Sequence, residues 1–107
     1  MIFRQSQQTR AEIARAMTAL SHPRRVAIFE ALEASRGRGL GQDDLLRETR
    51  FTLATLRHHL ARMEAAGLVT RHRRGVAVHF RLASAPVLGV AASLVTRLSA
   101  LETPRAA

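Results

Sequence analysis

The stretch from Thr52 to Leu82 constrains this chain most, because its hydrophobic period switches from helical to extended across a single glycine. Leu56, Leu60 and Met63 repeat at i, i+4 and i+7, which puts them on one face of a helix that Thr52 can cap and Gly67 can end. At about 100° per residue, Ala54, Thr55, His58, Ala61 and Arg62 fall on the opposite face, with Arg57 and His59 on the flanks. Past Gly67, Leu68-Val69-Thr70-Arg71 leads into Arg73-Arg74-Gly75, after which Val76, Val78, Phe80 and Leu82 alternate with Ala77, His79 and Arg81. A period of two around a turn glycine predicts a β-hairpin whose apolar face lies on the helices. Its tip is expected to carry Arg71, His72, Arg73 and Arg74, four consecutive side chains with no role in a core.

The preceding half reads as three shorter helices. Residues 1–8 are polar and expected to fray. Thr9 and Glu12 have capping-box spacing ahead of Ile13, Met17 and Leu20, which predicts a first helix over 9–20. Ser21-His22 interrupts, and Pro23 suits the first position of a second helix over 23–35 with Val26, Ile28, Phe29 and Leu32 on its apolar side. Arg36-Gly37-Arg38-Gly39-Leu40-Gly41 lacks the spacing and the preceding strand of a phosphate-binding loop, and reads as a flexible connector. Asp43 and Asp44 then open a third helix over 42–49, where their charge suits the helix dipole better than acid/base chemistry. After the hairpin, Pro86 opens a last helix over 85–102. Its Val87, Ala91, Leu94, Leu98 and Leu101 form a two-heptad seam, and Leu88, Val90 and Val95 widen it. That breadth predicts a face buried against a partner subunit as well as against the helix's own core.

Charge is concentrated where the pattern is most distinctive. All 17 basic residues are arginine, against 8 acids, for a net charge of +9. Residues 1–46 hold seven Arg and five acids, residues 47–82 eight Arg and two acids, and residues 83–107 two Arg and one acid. Most of the excess therefore falls in the segment of the fourth helix and hairpin, the electrostatic footprint of a polyanion binder. Charge alone also fits a generally basic solvated surface.

Helix, helix, short helix, turn, longer helix and hairpin, in that order, make a mainly α winged helix-turn-helix with five helices. In that architecture the N-terminal residues of the second helix of the motif meet base edges in the major groove, and basic groups hold phosphates. An arginine-bearing wing reaches neighbouring phosphates or the minor groove. The candidate DNA-binding residues are Thr52, Ala54, Thr55, Arg57, His58 and Arg62 on the helix and Arg71, His72, Arg73 and Arg74 on the wing. The 107 residues fit one domain, with 103–107 fraying like the N-terminus.

The sequence resembles the ArsR/SmtB family of bacterial transcriptional repressors over about residues 16–82. One block is Ala19-Leu20-Ser21-His22-Pro23-Arg24-Arg25-Val26-Ala27-Ile28-Phe29, similar to that family's entry to its second helix. The other is Thr55-Leu56-Arg57-His58-His59-Leu60, continuing through Ala66-Gly67-Leu68-Val69 and Arg73-Arg74-Gly75 to Phe80-Arg81-Leu82, which resembles the recognition-helix end, turn and wing. The resemblance implies repression by occupying promoter DNA, and a homodimer formed through the first and last helices. Its expected interface is Ile13, Met17, Val87, Ala91, Leu94, Leu98 and Leu101. The family's metal sensors use a cysteine pair in the third helix, here residues 40–49, or Asp, His and Glu ligands on the last helix. This chain has no cysteine, and residues 85–102 offer only Glu102. DNA binding without cysteine-based metal sensing, and with no cofactor, is the expectation.

The five histidines form no metal motif: His58 and His59 are adjacent, about 100° apart on a helix, and no His-Glu-x-x-His occurs. His59 matches a position the family usually keeps as histidine on the inner flank of the recognition helix, which implies packing. His58 and His72 sit on the proposed DNA face, His22 precedes Pro23 in a turn, and His79 faces outward on the wing. No serine or carboxylate pairing suggests catalysis, so an enzyme is not expected. The competing classes are a protein-interaction module built on the last helix and a non-specific nucleic-acid binder. Single-strand readers favour stacking aromatics, and this chain has four Phe but no Trp or Tyr. No apolar run reaches the ~18 residues of a membrane span and the N-terminus has no secretory pattern, so a cytoplasmic protein is expected.

Overall fold

In the computed structural model the described residues are 2–83 together with 96, 97, 100 and 101. Helix α1 runs over Ile2–Leu20. It begins seven residues before the expected start, so Thr9 lies inside the helix. Nothing in residues 2–8 breaks a helix, and Arg4, Gln5, Gln7 and Gln8 have good helix propensity. Helix α2, Pro23–Ala34, starts as expected at proline, with His22 as its cap: the His22 ring accepts from the Arg24 N–H. It buries Ile28, Phe29 and Leu32.

The glycine-rich connector holds an element that the sequence does not announce. Leu40–Gly41 forms a two-residue strand, β1. It pairs antiparallel with the third strand, β3 (Ala77–Leu82), Leu40 opposite Phe80 and Gly41 opposite His79. Two residues carry no periodicity, so only the partner strand reveals the pairing. Gly39 makes the approach possible: at φ +80°, a Cβ there would lie 2.7 Å from both the Phe80 carbonyl oxygen and Arg81 Cγ. Helix α3, Gln42–Thr49, follows directly and matches the expected bounds. Its start is fixed by the Asp44 carboxylate, which accepts the Gly41 N–H at 3.2 Å.

Arg50, in the left-handed conformation at φ 59°, ends α3 and turns the chain toward α4, Leu53–Ala65. Phe51 in this turn packs against the core and lies under the Arg24 guanidinium. Thr52 caps α4 as expected, its hydroxyl accepting from the Thr55 N–H at 3.2 Å. At the other end Leu68 N–H reaches the Met63 carbonyl and Gly67 N–H the Glu64 carbonyl. These bonds form a Schellman motif, and Gly67 supplies its left-handed residue at φ +77°. The motif throws the buried Leu68 back onto the core and aims the chain into β2, Val69–Arg74.

The sheet order is β1-β3-β2. β2 and β3 pair from Val69 opposite Leu82 to Arg74 opposite Ala77, joined by the two-residue loop Gly75-Val76. Positive φ at Gly75 with an ordinary φ at Val76 is the II′ pattern that suits strand twist. This register corrects two expectations. Val76 stands in the loop, fully exposed, and does not continue the apolar face of Val78, Phe80 and Leu82. Arg71 lies opposite Phe80, with three cross-strand pairs between it and the loop, where only Arg73 and Arg74 remain next to the tip.

The core gathers Ala16, Ala19 and Leu20 of α1, Ile28, Phe29 and Leu32 of α2, Leu45 of α3, Leu56, Leu60 and Met63 of α4, and Leu68, Val69 and Phe80. Each large apolar side chain so buried contributes about 1.5–3 kcal/mol against exposure. Helices α3, α4 and the wing thus share one core. Four helices and a three-stranded antiparallel sheet stand among the described residues, in place of the five helices and hairpin expected. Of the expected last helix, positions 96, 97, 100 and 101 have helical backbone. Val87, Ala91, Leu94 and Leu98 lie outside the described residues. No described helix is long and apolar enough to cross a membrane.

Candidate nucleic-acid interface

Helices α3 and α4, joined by the short turn at Arg50-Phe51-Thr52, form the helix-turn-helix. The face of α4 away from the core is the one the helical period gives: Ala54, Arg57, His58, Ala61 and Arg62 are exposed, while Leu56, His59, Leu60 and Met63 are buried. At the helix start Thr52 is exposed and Thr55 half-buried, the Thr52 hydroxyl donating to Thr55 Oγ1 at 2.9 Å. Both threonines are thus held by one cap. The small Ala54 and Ala61 leave the backbone open to close approach along this face.

Arg57 is ordered by a residue that sequence reading does not single out. Its Nε–H donates to the side-chain oxygen of Gln42 at 3.4 Å, across 15 positions of chain. Gln42 is the first residue of α3, and only the packing of α3 against α4 brings it beside the exposed face. No periodicity within either helix carries that information.

His59 is buried at 4% exposure. Its ring nitrogen Nδ1 accepts from Arg25 Nε at 3.1 Å, and Arg25 also donates to the Ala19 carbonyl at 3.3 Å. Arginine only donates, so Nδ1 is unprotonated and Nε2 carries the proton of the neutral ring. The His22 ring lies 4.5 Å away and the His58 ring 5.2 Å. Burial pushes the His59 pKa below the usual histidine value, and His22, Arg25, His58 and Arg24 lower it further. The packing role expected of His59 is therefore a specific one: it ties α4 to the junction of α1 and α2. His58 stays exposed next to it on the outer face. Among the described residues no group of three or more His, Asp or Glu side chains is placed to hold a metal ion.

On the wing, paired residues share a face. Arg71 therefore lies on the inner side with Phe80, its guanidinium 5.6 Å from the Phe80 ring centroid and 3.5 Å from the Glu64 carboxylate. Still exposed, it joins the wing to the C-terminal end of α4, below the tip position expected. Arg73 and Arg74 are exposed beside the loop, one on each face, with fully exposed Val76 between them and the return strand. His72 is exposed, its Nε2 2.8 Å from the Thr70 hydroxyl. The exposed side of α4 and the wing tip thus carry Arg57, Arg62, Arg73 and Arg74 without a carboxylate partner among the described residues.

Of the residues expected at a dimer interface, Ile13 and Met17 are half-buried on α1, Ile13 packing against the core, and Leu101 is exposed.

No protein-family model matches the chain, and no curated protein matches it. Solved structures do. The homodimeric winged helix-turn-helix DNA-binding domain of Mb0332 from Mycobacterium bovis, a possible ArsR-family transcriptional regulator, superposes with a TM-score of 0.72 at 25% identity, over 91% of this chain and 86% of that one. The transcriptional repressor BigR from Xylella fastidiosa gives 0.75 at 22% identity, over 98% of this chain and 100% of that one. The transcriptional regulator HlyU from Vibrio vulnificus gives 0.68 at 23%, over 96% and 100%. The resemblance to the ArsR family seen in the sequence extends to the fold, and the chain is a winged helix-turn-helix protein whose structural neighbours are transcriptional regulators.

Proposed function

We propose that this protein is a sequence-specific DNA-binding transcriptional regulator, a homodimeric repressor acting on a palindromic operator in the cytoplasm. The observation that carries the reading is the union of α4 and the wing on one core. That union offers a polar helix face and an arginine-bearing hairpin tip as a single surface. Thr52, Ala54, Thr55, Arg57 and His58 serve the major groove, with Arg57 the candidate for a bidentate guanine contact. Arg62, His72, Arg73 and Arg74 serve phosphates and the adjoining minor groove, and Arg71 supports them from below. Without a cysteine, release from DNA does not use thiolate metal sensing. The protein is a binder and not an enzyme.

Dimerisation through α1 (Ile13, Met17) and residues 85–102 (Val87, Ala91, Leu94, Leu98, Leu101) would set two recognition helices about a two-fold axis, with half-sites ~34 Å apart. The homodimeric state of the Mb0332 domain supports this arrangement. The test is selection of bound duplexes from a random library, followed by titration of the enriched duplex against a scrambled one at ~0.15 M salt. The expected result is a two-fold symmetric motif bound ~1,000-fold or more tightly over the scramble. A library that returns no motif, with equal weak binding to both duplexes, replaces this reading by a non-specific binder or a protein-interaction module. Sedimentation of the free protein as a monomer at micromolar concentration would remove the dimer.

A further inference from the structure

The contact between Gln42 and Arg57 says more than that Arg57 is ordered. A guanidinium can meet a base edge in two ways, with its two terminal amino groups or with one of them and Nε–H. In this fold Nε–H is already taken by Gln42 Oε1, at 3.4 Å. Only the terminal amino groups are left, on the exposed side of α4. Of the two acids in the first turn of α3, Asp44 is engaged by the Gly41 N–H and by Arg47, and neither Asp43 nor Asp44 pairs with Arg57. Among the described residues Arg57 has no carboxylate partner.

Resting on the DNA-reading role argued above, we propose that Gln42 is a specificity-determining positioning residue, which holds Arg57 through Nε and presents its two terminal amino groups end-on to a guanine. Three features of the fold support this. Gln42 is half-buried at the first position of α3, so its backbone is fixed by the Asp44 cap and by the pairing of β1 with β3. Its partner is a long exposed side chain that otherwise samples many rotamers, and holding it removes part of the ordering cost of binding. The contact spans the two helices of the motif, so it reports their relative placement at the base-reading surface.

The hydrogen bond is long enough that the reach of glutamine is needed. Asparagine would withdraw the amide oxygen by about one carbon–carbon bond, ~1.5 Å, and break the contact. Glutamate would keep an acceptor at the same reach while adding a charge that DNA repels.

The experiment is random-duplex selection with the wild type, Arg57→Ala, Gln42→Ala, Gln42→Asn and Gln42→Glu, followed by competition titrations on duplexes changed at single positions. Thermal unfolding of each variant accompanies the titrations. Arg57→Ala is expected to erase the guanine preference at one position of each half-site. Gln42→Ala and Gln42→Asn are expected to lower the preference at that same position about five- to tenfold and leave the other positions as they are. Gln42→Glu is expected to retain the preference while binding all duplexes more weakly. The proposal is overturned if Gln42→Ala keeps the wild-type preference within about twofold, or weakens every duplex equally, which would make Gln42 a phosphate contact. If Arg57→Ala itself changes no position, the base-reading role of Arg57 falls and that of Gln42 with it. If Arg57→Ala changes one position and Gln42→Ala none, only the role of Gln42 falls.

Discussion

Gly39→Ala separates the steric part of this fold from the conformational part, because Gly37 two residues earlier is its natural control. Both glycines are left-handed, Gly37 at φ +83° and Gly39 at φ +80°, but a Cβ on Gly37 would meet nothing within 4 Å. A Cβ on Gly39 would lie 2.7 Å from the Phe80 carbonyl oxygen and 2.7 Å from Arg81 Cγ. An alanine forced into the left-handed region costs about 1–2 kcal/mol. Gly37→Ala should therefore lose that much and no more. Gly39→Ala should lose it as well, plus about 1–3 kcal/mol for overpacking, since the Phe80 carbonyl cannot retreat without shifting β3. The total of about 2–5 kcal/mol is a large share of the 5–15 kcal/mol typical of a domain. Urea denaturation of the three proteins measures it: the midpoint should fall far more for Gly39→Ala than for Gly37→Ala, with unchanged slope. Because β3 is the inner strand of the wing, Gly39→Ala should also weaken DNA binding under conditions where the protein stays folded. Equal losses at the two glycines would refute the reasoning, since β1 would then not be held against β3 by close backbone approach.

What the sequence makes legible follows from the range of the interaction that decides each feature. Thr52, Gly67 and the repeat of Leu56, Leu60 and Met63 define α4 within one helix, and α4 runs over Leu53–Ala65. Asp43 and Asp44 likewise mark the start of α3 by a local effect. The start of α1 is misread because a Thr-x-x-Glu spacing can recur inside a helix whose upstream residues also favour helix. Strand β1 is invisible because its two residues are extended only by pairing with Phe80 and His79. Arg71 looks like a tip residue until the two-residue loop fixes the register and sets it over Phe80, where Glu64 takes its charge. The same limit applies to the site. The outward face of α4 is readable from its period, whereas the Gln42–Arg57 and Arg25–His59 contacts join residues 15 and 34 positions apart and exist only once the helices pack.

Other consequences can be measured directly. Thr52→Ala removes the α4 cap and should cost about 1 kcal/mol in urea denaturation; a loss below about 0.3 kcal/mol would show that water replaces the cap. Arg73→Ala should weaken binding to all duplexes alike and flatten the dependence of log K on log salt by about one for each phosphate left unneutralised, two per dimer; an unchanged slope would mean that Arg73 meets no phosphate. Acid should loosen the fold through His59. Burial, with the charges of His22, Arg25, His58 and Arg24, lowers the folded pKa of this ring below the 6.5 of a free histidine. The unfolded chain therefore takes up a proton at a higher pH than the folded one. The stability that neutral His59 supports is fully present above about pH 6.5 and is lost as pH falls toward the folded pKa. Protonation would also place a hydrogen on Nδ1, the atom that accepts from Arg25, so the tie between α4 and the α1–α2 junction should fail along with stability. His59→Gln offers an amide oxygen to Arg25 and does not titrate. Subtracting its urea midpoints from those of the wild type, between about pH 7.5 and 5.5, cancels the carboxylates and leaves the His59 contribution. The difference should shrink as pH falls; midpoints that decline in parallel would mean that His59 takes up its proton as readily in the fold as in water.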